Sequence, residues 1–113
     1  MKITQSALLN SSQAAEAKKM GAALARLRIA RGMKQDQAAL RAGLSRNTAY
    51  RLEKGDPGTA MGQILRYLDG IAPGKTLLEL LSETDPALAA LSAREQRRRA
   101  RALSKRELDE IDF

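Results

Sequence analysis

The sequence contains no cysteine and no histidine. Without cysteine the chain can form neither a disulfide nor a thiolate metal site, and a reducing compartment such as the cytoplasm is its simplest location. Without histidine it lacks the commonest general base and metal ligand of enzymes. These absences argue against catalysis, and we expect the chain to need no metal and no other cofactor.

Valine and tryptophan are also absent, and the aromatic residues are only Tyr50, Tyr67 and Phe113. Strands favour β-branched and aromatic side chains, whereas the 43% of hydrophobic residues in this chain are mostly alanine and leucine. The composition therefore predicts an all-α fold. A length of 113 residues suits one domain with an appended tail.

Long hydrophobic runs are missing as well. No apolar stretch approaches the roughly 18 residues of a transmembrane helix, so we expect no membrane partner. Residues 1–10 contain one lysine and no long apolar core, so we expect no secretory signal. These expectations agree with a cytoplasmic protein.

Positive charge is abundant and unevenly distributed. The chain carries a net charge of +7 with a pI near 10.3. Residues 18–54 contain ten basic and two acidic side chains, whereas residues 55–91 contain two basic and five acidic ones. Residues 92–113 contain seven basic and five acidic side chains. A surplus concentrated in this way favours a polyanionic partner, either nucleic acid or an acidic membrane face.

The first half of the chain shows a helix–turn–helix pattern. Apolar residues at spacings of three and four predict a first helix over residues 13–32. A second helix fits residues 35–42, and Gly43 suits a sharp turn because positive φ is easily accessible to glycine. Ser45 suits an N-cap, because its hydroxyl can accept a free N–H group of a third helix over residues 46–54.

The second half predicts shorter helices and a tail. A fourth helix begins at Thr59 or Ala60, with Ile64, Leu65 and Leu68 facing inward. The spacing of Thr76 and Glu79 is that of a capping box and predicts a fifth helix through Leu81. Asp85 followed by Pro86 predicts the start of a tail of two helices or one kinked helix. We therefore divide the chain into an arm (1–12), a helix-turn-helix domain (13–82) and a basic helical tail (83–113).

The ordered set of residues between Arg28 and Gly55 resembles the lambda-repressor-like, or Xre, helix-turn-helix family. The matching features are a basic first helix ending Arg-Ile-Ala-Arg-Gly-Met-Lys-Gln at residues 28–35, then Ala39, Gly43, Ser45 and Leu-Glu-Lys-Gly at residues 52–55. The resemblance covers about residues 20–72 and implies a five-helix DNA-binding fold. One departure is Ala38, where the family usually has leucine, and we expect Leu40 to compensate by packing.

The third helix supplies the candidate DNA-reading residues. Ala49 and Leu52, three apart, seat this helix on the core. Arg46, Asn47, Tyr50 and Arg51 then face outward, and an α-helix fits the major groove, where arginine pairs with guanine and asparagine with adenine. We expect Arg46, Asn47 and Arg51 to contact bases, and Tyr50 a sugar, a phosphate or a thymine methyl group.

A second set of residues is expected to position the protein on the DNA backbone: Gln35, Ser45, Thr48 and Lys54. The residue that matches Gln35 in the family begins the second helix, where free N–H groups and the positive helix end favour a phosphate. The resemblance also implies a partly buried ion pair between Arg28 and Glu53.

The basic run in the tail has three open interpretations. Arg94, Arg97, Arg98, Arg99, Arg101, Lys105 and Arg106 can form a solvated helix face, contact phosphates or dock a partner protein. Residues 73–113 are the segment in which we expect a toxin or other protein partner to bind, if the protein has one.

The sequence is compatible with four functions. The first is a sequence-specific regulator of double-stranded DNA, a repressor acting as a homodimer, that inserts the helix 46–54 into the major groove. The alternative is the antitoxin of a type II toxin–antitoxin pair, which binds a protein toxin and regulates its own operon. An RNA- or ribosome-associated helper is a third reading, disfavoured by the scarcity of aromatic residues. An enzyme is the fourth and least favoured.

Overall fold

The computed structural model describes residues 4–82 and 85–111, apart from the side chains of Ser104 and residues 106–111. Within these ranges the regular elements are seven helices and no strand, which confirms the predicted all-α fold. The helices are α1 (Gln5–Leu8), α2 (Ser11–Ala30), α3 (Gln35–Ala42), α4 (Arg46–Glu53), α5 (Met61–Ile71), α6 (Leu77–Leu81) and α7 (Pro86–Ile111).

The chain becomes helical earlier than the sequence predicts. Helix α2 begins at Ser11 because Asn10 caps it: the Asn10 carboxamide accepts the Gln13 N–H at 2.8 Å, and the Gln13 side chain accepts the Asn10 N–H at 3.1 Å. The helix α1 precedes it and buries no residue. The segment that we treated as a loose arm therefore contains helical residues from Gln5 onward, and residues 1–3 lie outside the described part.

The turn between α3 and α4 forms by the predicted local chemistry. Helix α3 has the predicted bounds and is capped at its C-terminus by Gly43, whose φ of 67° is left-handed. The Ser45 hydroxyl accepts the Thr48 N–H at 3.1 Å and caps α4, which ends at Glu53, one residue earlier than predicted. The helix α6 also has its predicted capping box between Thr76 and Glu79.

The core consists of small residues on α3 and larger ones on the helices around it. Ala38 and Ala42 are buried, and a Cβ atom added at Gly70 would lie 3.3 Å from the Ala38 carbonyl and 3.1 Å from the Ala42 nitrogen. Close backbone approach of α5 therefore fills the space that a leucine at position 38 would occupy. The expectation that Leu40 compensates by packing is wrong, because this side chain is 81% exposed.

The inward face of α5 differs from the predicted one at a single residue. Leu68 is buried and Ile64 packs against the core, as predicted. Leu65 is instead 47% exposed, so its predicted inward position is wrong. Tyr67 takes the buried place because residues 64, 67, 68 and 71 follow the three- and four-residue spacing of one helix face.

The helix α2 crosses the end of α4 at two glycines. A Cβ atom at Gly21 would lie 2.5 Å from the backbone nitrogen of Gly55 and 2.6 Å from the carbonyl oxygen of Leu52. Gly55 has a φ of 74°, and its own missing Cβ faces the backbone of Ala17 and Lys18. This backbone-to-backbone crossing sets the distance between α2 and α4.

The tail is one continuous helix, α7, anchored at its start by Asp85. The Asp85 carboxylate is 2% exposed, accepts the Ala87 N–H at 2.8 Å, and lies 2.6 Å from Arg31 Nη2 and 3.0 Å from Lys75 Nζ. The predicted cap by Asp85 before Pro86 is thus confirmed. The same carboxylate also joins the end of α2 to the start of α6.

We expect the contribution of Asp85 to stability to depend on pH. Burial raises the pKa of this carboxyl, but the hydrogen bonds from Arg31, Lys75 and the Ala87 amide outweigh burial and lower it to about 2. Because the folded-state pKa lies below the unfolded value, the stabilisation is present above about pH 4 and disappears as pH falls through 2. Linkage puts it at about 2 kcal/mol.

Urea denaturation of the wild type and Asp85→Asn between pH 6 and pH 2 measures this effect. The wild type should be the more stable protein at pH 6, and the gap should shrink as the medium becomes more acidic. A gap that stays constant over the whole pH range would contradict the assignment.

Candidate nucleic-acid interface

The outer face of α4 presents the candidate DNA-reading residues to solvent. Ala49 is fully buried and Leu52 is 3% exposed, so this side of α4 is fixed against the core. Arg46, Asn47 and Tyr50 on the other side are exposed. The helix is therefore held along one face and free along the other, as a helix that enters the major groove must be.

The four candidates for backbone contact lie in different surroundings. Ser45 and Thr48 belong to the cap of α4, with their hydroxyl oxygens 2.8 Å apart. Lys54 is exposed, and its Nζ lies 5.3 Å from the centroid of the Tyr50 ring, within the range of a cation–π contact. Gln35 is half-buried at the first position of α3, where the N-cap residue makes no side-chain hydrogen bond to the helix.

Arg51 is held by a partner that sequence reasoning missed. Its Nε donates to Asp56 Oδ2 at 2.7 Å, and Asp56 Oδ1 accepts the Gly58 N–H at 2.8 Å. The hydrogen bond from Arg51, followed by that from the Gly58 amide, lowers the pKa of Asp56. The loop after α4 thus fixes the guanidinium of Arg51 and leaves its two terminal nitrogens for other partners. From the sequence alone, Asp56 indicated only a turn after α4.

Arg28 and Glu53 form a bidentate ion pair between α2 and the last residue of α4. Arg28 Nε lies 2.6 Å from Glu53 Oε2, and Arg28 Nη2 lies 3.0 Å from Oε1. The two side chains are 15% and 7% exposed. Arg28 also donates to the Met33 carbonyl at 2.9 Å, so it holds the link between α2 and α3 as well.

Tyr67 completes this cluster and was not among the predicted site residues. It is fully buried, and its hydroxyl donates to Glu53 Oε2. Burial, and then the hydrogen bond to Glu53, raise the pKa of Tyr67, while the hydrogen bond to Glu53 raises the pKa of Arg28. The available sequence signal was a lone aromatic residue on the apolar face of α5.

A second long-range contact supports the turn itself. Arg66 on α5 donates from Nη2 to the carbonyl oxygen of Gly43 at 2.8 Å. This places a cation at the negative C-terminal end of α3, which is a stabilising position for positive charge. The turn between α3 and α4 is therefore held from outside the motif as well as by Gly43 and Ser45.

The described residues form neither a metal site nor a membrane span. Among the described residues, no three acidic side chains come together in a way that could hold a metal ion. The described helices also include none with the length and apolar content needed to cross a membrane.

The two helices α3 and α4, the left-handed glycine between them and the exposed outer face of α4 define a helix-turn-helix protein. A family model described as a helix-turn-helix domain matches residues 19–81, more than half of the chain, and the chain belongs to this family. The match agrees with the resemblance carried by residues 28–55. No curated protein and no solved structure shows significant similarity to the chain. The match ends with α6, so that α7 lies outside it.

Proposed function

We propose that the protein is a sequence-specific transcriptional regulator, a repressor, that inserts α4 into the major groove of double-stranded DNA. The observation that carries the proposal is the two-sided character of α4. Its inner face is fully anchored by Ala49 and Leu52, while Arg46, Asn47 and Tyr50 face solvent. The surplus of basic residues in the segment 18–54 adds the non-specific attraction that DNA binding requires. Such a regulator acts in the cytoplasm.

The residues of α4 divide by the bonds they can make. Arg46 and Asn47, in the first turn, are proposed to contact guanine and adenine edges, because helices of this class approach bases with their N-terminal residues. Arg51 enters the groove with its terminal nitrogens, since Asp56 occupies Nε. Tyr50 contacts a sugar, a phosphate or a thymine methyl group.

Backbone contacts are proposed to fix the register on the duplex. Gln35 begins α3, whose N-terminal N–H groups attract a phosphate. Lys54 reaches a second phosphate from beside Tyr50, and Ser45 and Thr48 contribute from the cap of α4. These contacts add affinity and orientation without distinguishing sequences.

We also propose that the protein binds DNA as a homodimer on a two-fold operator. Met61 and Leu65 lie four residues apart on α5 and are 67% and 47% exposed. Residues at this spacing share a helix face, so together they offer an apolar contact for a second copy. Two copies would place their α4 helices about one helical turn of DNA apart.

The test is a binding titration against the DNA upstream of the protein's own gene, repeated with single-base variants of the bound site. Arg46→Ala should relax discrimination at one base pair by about 1–3 kcal/mol, because one bidentate base contact is lost. Lys54→Ala should weaken binding to all sequences alike and reduce the salt slope by about one. Footprinting locates the site and shows whether it has two half-sites.

A wild-type protein that binds every duplex equally, even at low salt, would overturn the regulator proposal. The Lys54→Ala variant serves as the control for Arg46→Ala, because each removes one exposed cation, Arg46 at the first position of α4 and Lys54 directly after its last. If the two variants changed sequence preference to the same extent, the assignment of Arg46 to a base would be wrong.

The alternative is an antitoxin that binds a protein toxin in addition to its promoter. The observation in its favour is the apolar surface of α6, where Leu78 and Leu81 are 79% and 52% exposed. These two residues are three apart and therefore share a helix face. A stable complex with the product of a neighbouring gene, broken by charged substitutions at Leu78, would support this role.

A further inference from the structure

The helix α7 is anchored at one end and projects at the other. Leu88 and Leu91 are buried, and the Glu95 carboxylate lies 2.5 Å from Arg26 Nη2 on α2. From residue 96 to residue 103 every side chain is exposed. A helix of 26 residues is about 39 Å long, and more than half of α7 follows the ion pair between Glu95 and Arg26.

Five basic side chains form a stripe along this helix, called here the basic stripe: Arg94, Arg97, Arg98, Arg101 and Lys105. Their spacing is three, one, three and four residues, and at about 100° per residue they fall within roughly one quarter to one third of the helix circumference. The stripe is about 16 Å long. All five are exposed, and none forms an ion pair with an acidic side chain in the described part of the chain.

The basic stripe lies to one side of the face of α7 that packs on α2. The centre of the contact set Leu88, Leu91 and Glu95 lies about 100° around the helix from the middle of the stripe. The remaining described arginine of the run, Arg99, lies outside the stripe on the helical wheel. The stripe is therefore a solvent-facing surface that packing of α7 on α2 leaves uncovered.

The stripe repels itself when no counter-charge is bound. Residues three and four apart on a helix are neighbours, so like charges at those spacings destabilise it. Arg97 and Arg101 are neighbours of this kind, as are Arg94 and Arg98. A solvated helix face commonly alternates the two signs, whereas the described acidic side chain nearest the stripe, Glu95, is paired with Arg26 and adds only a weaker electrostatic attraction to Arg98. The arrangement indicates an anionic partner with several charges in a row.

We propose that the basic stripe of α7 is a second DNA-binding surface, which contacts backbone phosphates beside the base pairs contacted by α4. The proposal rests on the proposed function. One strand of B-DNA presents a phosphate about every 3.4 Å along its axis, so a stripe of about 16 Å spans several of them. A helix that docks on a protein groove presents apolar anchors at three- and four-residue spacing, and the stripe contains none.

Contacts of this kind add affinity without sequence preference, because phosphates are the same at every base pair. The experiment is therefore the salt dependence of binding to the upstream duplex. For the double variant Arg97→Gln/Arg101→Gln we expect the slope of log affinity against log salt to fall by about two. At about 0.1 M salt this corresponds to a 10- to 100-fold loss of affinity, with the ratio of specific to non-specific binding unchanged.

The matched control is Arg99→Gln compared with Arg97→Gln, since each removes one exposed arginine from the same part of α7. Only the variant within the stripe should change the slope. Glutamine is close to arginine in helix propensity, and circular dichroism checks that α7 is retained. Equal changes from the two variants would show an effect of net charge alone and would overturn the proposal.

Duplex length gives a second readout. Extending the duplex by about one helical turn beyond the core site should strengthen wild-type binding clearly more than binding by the double variant, which keeps three of the five cations. A double variant with the wild-type slope and the wild-type response to duplex length would overturn the proposal. The stripe would then bind an acidic protein or no partner at all. Failure of the proposed function is seen separately, as a loss of the specific site in the wild type.

Discussion

Arg28→Ala is expected to lower the free energy of unfolding by about 3–5 kcal/mol, because it leaves a buried carboxylate without its cation. Glu53 is 7% exposed in the ion pair, so little water can replace the guanidinium. The Met33 carbonyl would lose its Arg28 hydrogen bond as well. Small domains are stable by only about 5–15 kcal/mol, so the variant should be near the limit of folding at physiological temperature.

Urea and thermal denaturation measure the effect of Arg28→Ala, and Arg41→Ala is the matched control. Arg41 is an exposed arginine on α3 with no ion pair in the described part of the chain. Its removal should change stability by less than about 0.5 kcal/mol. A melting temperature for Arg28→Ala within a degree or two of the wild type would contradict the role of the pair.

Gly21→Ala is expected to lower the free energy of unfolding by about 2–3 kcal/mol despite the better helix propensity of alanine. The added methyl carbon would lie 2.5 Å from the Gly55 nitrogen, 2.6 Å from the Leu52 oxygen and 2.7 Å from the Glu53 oxygen. All three are backbone atoms, which cannot rotate away as a side chain can. The helices α2 and α4 must therefore move apart.

The control for Gly21→Ala is the same substitution at Gly62 in α5. A Cβ atom there meets nothing within 4 Å, so Gly62→Ala should be neutral or slightly stabilising. Denaturation curves of the two variants separate the steric effect from helix propensity. If Gly21→Ala were as stable as Gly62→Ala, the close crossing of α2 and α4 would be refuted.

Local chemistry was sufficient to predict much of the fold. Gly43, Ser45 and the Thr76–Glu79 capping box each act within a few residues along the chain, so the pattern contains all the information needed. The exposure of α4 was predictable for the same reason, since burial of Ala49 and Leu52 determines which side of a helix remains outside.

Contacts between distant segments were beyond such reasoning. Gly21 looks like an ordinary weak point in a helix until Gly55 is placed opposite it. Ala38 looks too small for a core position until α5 approaches α3 at Gly70. Likewise, Asp56 shows its effect on Arg51 only after the loop is built. In each case the deciding partner is chosen by three-dimensional packing.

The position of Glu53 at the end of α4 has a consequence for the entropy of binding. Glu53 accepts hydrogen bonds from Arg28 on α2 and from Tyr67 on α5, so one carboxylate ties the recognition helix to two others. The conformational freedom of α4 is therefore lost when the domain folds and not when it meets a ligand. Preorganisation of this kind lets the contacts of the exposed face contribute more fully to affinity, because little ordering remains to oppose them.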